Sequence, residues 1–297
     1  MESLKEHWLL ILSTPFYLII IGLEILLTHL QERQAYTVRG TAANIYLMLL
    51  NTAIDVAFRI AYIAVFQVCY YYSFFHIQTP WLYWFLLLIS EDFLYYWLHR
   101  FDHQVRLFWA VHVTHHSSEQ LNFSVGFRSS VFEPLYRFVY FIPLAFLGFQ
   151  PLDIVFMYSA TQIWGTLVHT ELIKNLGPLE YILVTPSHHR VHHASNIKYL
   201  DKNMGMFLII WDKIFGTFQK ELTAQEYEPI RYGLVTKLEK PNAVNLVFHE
   251  WSGIKKDVHR KDINWRNKLR YVWKAPGWSH DGSRLTSKQM LEKEEKL

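Results

Sequence analysis

The stretch His99-Arg100-Phe101-Asp102-His103, followed after eight residues by His112-Val113-Thr114-His115-His116, decides how this chain is read. A further run, His188-His189-Arg190-Val191-His192-His193, lies downstream. Residues four apart on a helix share a face, so His99 and His103 point the same way. His112, His115 and His116 fall within one arc, and so do His189, His192 and His193. Neutral imidazole is a ligand suited to iron, zinc and copper. These eight histidines exceed the four ligands of a tetrahedral zinc site and suit two metal ions at bridging distance.

Upstream and downstream of the first cluster the chain is apolar. Of its 297 residues, 51% are hydrophobic, 17% aromatic and 19% charged, an apolar balance for a soluble domain. Charges are sparse up to Leu98 and dense after Lys220. That contrast predicts a membrane-embedded catalytic part, residues 1–220, and a polar cytoplasmic extension, residues 221–297, containing Trp251, Trp265, Trp273 and Trp278. Those tryptophans suit either the membrane surface or a small packed cap. The net charge of +3 gives no sign of a nucleic-acid partner. Cys69 is the one cysteine, so neither a disulfide framework nor a thiolate metal site is expected.

Five apolar segments are long enough to be considered as spans: residues 8–27, 45–75, 80–98, 132–149 and 152–168. Hydropathy alone does not separate full spans from re-entrant segments. Asp55 and Arg59, four apart in the second, are expected to pair within one helix rather than to mark an ion path. The connections at 76–79 and 148–151 carry no Lys or Arg, whereas 31–44 carries Arg33 and Arg39 and 100–128 is basic. The positive-inside rule then places the histidine clusters on the cytoplasmic side of a multi-pass membrane protein. The fold class expected is all-α, a multispan helical bundle with a histidine-rich di-metal cap.

His169 stands alone at the end of the fifth segment, where it would abut the clusters, and is a further candidate ligand. His188 is weaker, because it lies to one side of the arc of His189, His192 and His193. Asp92 and Tyr96 share the face of His99 and His103. Asp92 suits either a carboxylate behind a ligand histidine or an interhelical hydrogen bond. Isolated histidines such as His7, His249 and His259 are read as ordinary core or interface residues.

Several strings carry a resemblance. They are Glu91-Asp92-Phe93-Leu94-Tyr95-Tyr96-Trp97-Leu98-His99-Arg100, His115-His116-Ser117-Ser118-Glu119, His169-Thr170-Glu171, Asn175-Leu176-Gly177-Pro178-Leu179-Glu180, and Thr185-Pro186-Ser187 running into the last histidine run. Asp201-Lys202-Asn203-Met204-Gly205 and Ile210-Trp211-Asp212-Lys213-Ile214-Phe215-Gly216-Thr217-Phe218 complete them. Together with the pattern H-x3-H, H-x2-H-H, H-x2-H-H, they resemble the fatty acid hydroxylase and sterol desaturase superfamily, in its alkylglycerol monooxygenase branch.

The resemblance implies a membrane-bound, non-haem di-iron oxygenase that hydroxylates or desaturates a C–H bond of a lipid with O2. Its ligands would be His99, His103, His112, His115, His116, His189, His192 and His193. An external reductant, either tetrahydrobiopterin or an electron-transfer protein, would supply electrons in the bacterial inner membrane or endoplasmic reticulum. Asn122 and Arg128 are candidates to hold a polar head group, although a basic residue at the interface more often meets lipid phosphate. Two other classes use such histidines. A metal transporter would place them near the bilayer midplane rather than at span ends. A zinc hydrolase would want a water-activating carboxylate, and no His-Glu-x-x-His string occurs.

Overall fold

The computed structural model describes the backbone of residues 2–240 and 242–296, with side chains from residue 12 onward. The side chains of His7 and of residues 8–11 in the first expected span lie outside the described residues. The chain is helical throughout: α1 (Glu2–Leu30), α2 (Val38–Tyr71), α3 (Pro80–Gln104), α4 (Arg106–His116), α5 (Arg137–Phe146), α6 (Pro151–Leu167), α7 (Pro186–His192), α8 (Ile210–Phe215), α9 (Ala243–Val258), α10 (Trp265–Trp273) and α11 (Ser287–Glu294). Among the described residues, β pairing is limited to two bridges, Leu183 with Leu208 and Ala194 with Tyr232. The Thr37 side chain accepts from Gly40 N and starts α2, while Pro80 and Pro151 occupy the first turns of α3 and α6.

Two described segments, Leu12–Leu30 and Val38–Tyr71, are long and apolar enough to cross a membrane. Leu18, Ile19, Leu49, Val56 and Ile60 on them are exposed. The fourth expected segment is shorter than its hydropathy suggests. Glu133, Pro134 and Leu135 form a 3-10 turn, and α5 begins only at Arg137. Its ten residues make a rod of about 15 Å, half of a hydrocarbon core about 30 Å thick.

The helices share a polarity that positions the site. At one end, Phe74 N donates to Phe146 O at 2.8 Å, and Gln150 N donates to the Tyr83 hydroxyl at 2.8 Å. Gly148 turns the chain between α5 and α6 with φ +93°, and a Cβ there would lie 2.1 Å from Phe75 O. Only glycine tolerates both conditions. Between the ends, Phe66 (α2), Leu87 and Leu98 (α3), Leu144 (α5) and Ile154 (α6) form a continuous buried core. At the other end the histidines gather.

Glu24, the one charge in the first apolar segment, is buried there. It accepts from Phe123 N at 2.8 Å and from the Tyr36 and Thr170 hydroxyls, tying α1 to the loops over the site. The C-terminal region packs on α4 from outside. Arg106 donates to Glu250 and Asp257 of α9, each at 2.6 Å, and Arg106 N donates to Lys274 O. The four tryptophans divide: Trp251 packs on Phe132 and Trp278 on Tyr271, while Trp265 and Trp273 are exposed.

Candidate metal centre

The histidines fall into two groups. His99, His103, His112, His116 and His192 form one, and His115, His169, His189 and His193 the other; within each group the potential ligand atoms lie within 4.8 Å of one another. Each H-x2-H-H run is divided between them. On α4, His112 and His116, four apart, face the first group and His115 the second. At α7 the assignment is reversed, with His189 and His193 in the second group and His192 in the first. Adjacent helical residues diverge by about 100°, so a neighbouring pair can serve two centres at once. The single arc read from the sequence is thus two faces. The groups touch where the His116 ring stacks on His193, centroids 4.5 Å apart.

Six of the nine Nδ1 atoms point outward to oxygens, while that of His189 is buried without a partner. His99 Nδ1 lies 2.8 Å from Met204 O, His115 Nδ1 3.0 Å from Arg128 O, His169 Nδ1 2.7 Å from Gly165 O and His192 Nδ1 3.0 Å from Lys202 O. A carbonyl only accepts, so each of these Nδ1 atoms carries the proton and each Nε2 carries a lone pair. His103 Nδ1 meets Asp201 at 3.3 Å, and His112 Nδ1 meets Ser130 at 3.2 Å with Asp102 at 3.8 Å.

The Nε2 atoms converge. His189 and His169 are 2.9 Å apart, His169 and His193 3.1 Å, and His169 and His115 3.4 Å. His99 and His112 are 3.1 Å apart. For His169 and His115, whose Nδ1 protons are held by carbonyls, the two Nε2 lone pairs face each other and repel unless a cation lies between them. Edges of about 3.0–3.4 Å are those of octahedra and tetrahedra with metal–nitrogen bonds of about 2.1 Å. In the first group, Nε2 of His103, His116 and His192 is buried with no hydrogen-bond partner, a cost that metal ligation would remove. Burial pushes the His115 imidazole down to about 4 and holds His116, His189, His192 and His193 well below the usual range. The rings are therefore neutral, as ligation requires. The donor set fits two metal ions.

His188 is not brought into either group. Its Nδ1 accepts from Thr185 N at 3.3 Å and completes the capping box of α7. Asp92 sits one step further back than expected. It accepts from Phe207 N, Leu208 N and Trp211 Nε1, and so anchors the loop whose Met204 carbonyl backs His99. Tyr96 bonds to Thr217 at 2.9 Å, and Thr217 donates to Asp212, which accepts from Met204 N and Gly205 N.

Asn122 and Arg128 are buried in internal bonds. The Asn122 amide donates to Ala35 O; Arg128 donates to Thr114 O, Ser117 and Asn44. Neither lines the cavity of about 490 Å³ that opens beside the histidines. That cavity runs between α1, α2, α3, α5 and α6. His99, His112, His115, His169 and His189 lie along its wall, which elsewhere is largely apolar and aromatic. Its volume lies in the range of small-molecule sites.

The sequence did not point to Asp201, Asp102 or Ser130 as the residues behind the ligands. Asp201 and Asn203 have φ of 55° and 54°, a conformation in which Asp and Asn are enriched, and that enrichment was the available signal.

Residues 84–217 match the fatty acid hydroxylase family. The chain is 40% identical to human alkylglycerol monooxygenase over 208 residues, which is 70% of this chain and 45% of that protein. It is 33% identical to the Xenopus tropicalis alkylglycerol monooxygenase over 280 residues, 92% of this chain and 60% of that one. It is also 34% identical to ornithine lipid hydroxylase of Rhizobium tropici over 133 residues, covering 44% and 40% of the two chains. The chain spans about half the length of the alkylglycerol monooxygenases it matches. No solved structure matches. The chain belongs to the fatty acid hydroxylase family.

Proposed function

We propose that this protein is a membrane-bound, O2-dependent lipid hydroxylase with a pair of irons. One iron would be held by His99, His103, His112, His116 and His192, the other by His115, His169, His189 and His193. The observation that carries this reading is the convergence of Nε2 lone pairs in two touching groups, each beside the cavity. When bound, such a pair supplies the oxidising power to place one oxygen atom of O2 into a C–H bond. The balance is R–H + O2 + two electrons + two protons giving R–OH + water. Tetrahydrobiopterin or an electron-transfer protein would supply the electrons.

The chain's own residues do the rest. Met204, Arg128, Gly165 and Lys202 carbonyls and the Asp201 carboxylate hold the rings of His99, His115, His169, His192 and His103 in one tautomer and orientation. The apolar wall between α2, α5 and α6 takes the alkyl chain and keeps water from the reacting carbon. The names of the relatives favour an alkylglycerol-type lipid. The basic segments at 31–44 and 100–128 favour a cytoplasmic site, with residues 1–220 as the catalytic unit and 221–297 bracing α4.

The test is detergent-purified protein supplied with iron, a reductant, an alkylglycerol and labelled O2. About two metal ions per chain and one labelled atom in the product are expected. Label arriving from water, or full turnover with one ion per chain, would overturn the reading. Zinc can displace iron during purification because it binds such sites more tightly, so reconstitution precedes the count.

A further inference from the structure

The cavity wall holds charges that the metal groups do not use. Asp55, Arg59, Glu133 and Arg137 all line it. Asp55 lies inside the apolar α2, where a charge is costly and needs a reason. Arg59, one turn on, donates to Asp55 Oδ2 at 2.6 Å, as pairing within one helix would give. The structure adds a second cation from another helix: Arg137 Nη2 donates to Asp55 Oδ1. Arg137 thus ties α5 to Asp55 of α2, and Glu133, four residues before it, also lines the wall.

The Arg137 guanidinium carbon lies over the Tyr158 ring, 4.6 Å from its centroid. Its side chain is 15% exposed. A guanidinium has five N–H donors. Beyond the bond to Asp55, no intramolecular hydrogen bond of Arg137 is present among the described residues. Donors held at a cavity wall favour a ligand that accepts from them. Glu133, four residues earlier, adds an acceptor to the same wall. Its carboxylate lies within 4.8 Å of Asp102 and of His112, so the polar patch adjoins the candidate metal centre.

At the cavity wall itself two carboxylates, Asp55 and Glu133, stand against two guanidiniums, Arg59 and Arg137, with Asp102 behind Glu133. An anionic head group would have to compete with Asp55 for Arg137. A hydroxyl can accept from Arg137 and donate to Glu133 while displacing neither. We propose that Arg137, held in place by Asp55, forms with Glu133 the subsite for an uncharged, hydroxyl-bearing head group of the lipid. This rests on the lipid-hydroxylase reading and assigns recognition to α2 and α5 rather than to Asn122 and Arg128.

The test measures binding apart from turnover, on full-length protein in detergent. A fluorescent alkyl-chain probe is displaced by hexadecylglycerol ether, by hexadecane or by hexadecyl phosphate. The wild type should prefer the glycerol ether to both others. Arg137→Gln should weaken binding of the glycerol ether by about 10- to 100-fold, the worth of a hydrogen bond to a charged group, and leave hexadecane unchanged. Glu133→Gln should shift the same ratio in the same direction. The ratio of the two ligands on one sample separates recognition from misfolding. Equal loss of both ligands in both variants would make the cluster a scaffold and overturn the proposal. So would an unchanged ratio, or tightest binding of the phosphate. Failure of labelled O2 to enter any lipid would remove the hydroxylase reading while leaving the binding ratio to stand or fall by itself.

Discussion

The two histidine groups differ in how they are backed and what they face. The first has five rings, with the Asp201 carboxylate behind His103 and Asp102 near His112. The second has four rings, with the carbonyls of Arg128 and Gly165 behind His115 and His169. Three of the four rings in the second group line the cavity, against two of the five in the first. A carboxylate behind a ligand raises its basicity. On the proposed reading, the first group would hold its ion more firmly and the second would lie nearer the lipid.

The largest effect is expected where the groups join. His116 belongs to the first and stacks on His193 of the second. His116→Ala should cut turnover by well over the roughly 100-fold that marks loss of a mere outer partner. Oxygen uptake by correctly folded monomer checks this, with exposed His259→Ala as the unaffected control. Undiminished turnover would dissolve the two-group picture.

Next comes the difference in grip. His169→Ala removes one of four rings from the second group, so metal content should fall from about two ions to about one per chain by elemental analysis. A variant that still holds both would mean that His115, His189 and His193 suffice. Asp201→Asn sharpens the contrast from the other side. Losing the carboxylate behind His103 should lower metal affinity about 10- to 100-fold in a chelator competition. An unaltered affinity would leave the two groups equal in grip.

The smallest effect belongs to the histidine outside both groups. His188→Ala removes a capping partner of α7 and should cost about 1 kcal/mol in thermal unfolding. Metal content and turnover should stay as in the wild type. Loss of an ion would place His188 among the ligands.

The clustering of the histidines was legible because helical periodicity is written in side chains. His99 with His103 and His112 with His116 each repeat at one turn. The division of each H-x2-H-H run between two centres was not legible, because it depends on what packs on each side of α4 and α7. The backing oxygens were largely invisible for a different reason. Met204, Arg128, Gly165 and Lys202 act through main-chain carbonyls, which any residue could offer. Asp92 stood out as a carboxylate on the histidine face, but its partners on the 207–211 segment lie more than a hundred positions away and none is a histidine. The fourth apolar segment misled because hydropathy averages over Glu133 and Arg137, whereas those two residues delay the helix and turn toward the cavity. Asp55 and Arg59 did pair as their spacing suggested; Arg137 could not be foreseen from α2 alone.

Glu24 has a consequence for how the molecule is made. Its partner Thr170 lies 146 positions further along the chain, and Phe123 lies 99. At about 5–20 residues per second, the ribosome delivers Thr170 roughly seven to thirty seconds after Glu24. Through that interval the Glu24 carboxylate has the Tyr36 hydroxyl, twelve positions on, already made, while Thr170 is still to come. A carboxylate short of partners is costly in hydrocarbon, so the helix has reason to wait near the headgroups. Arrival of Thr170 then completes the set of partners of a carboxylate translated well before it.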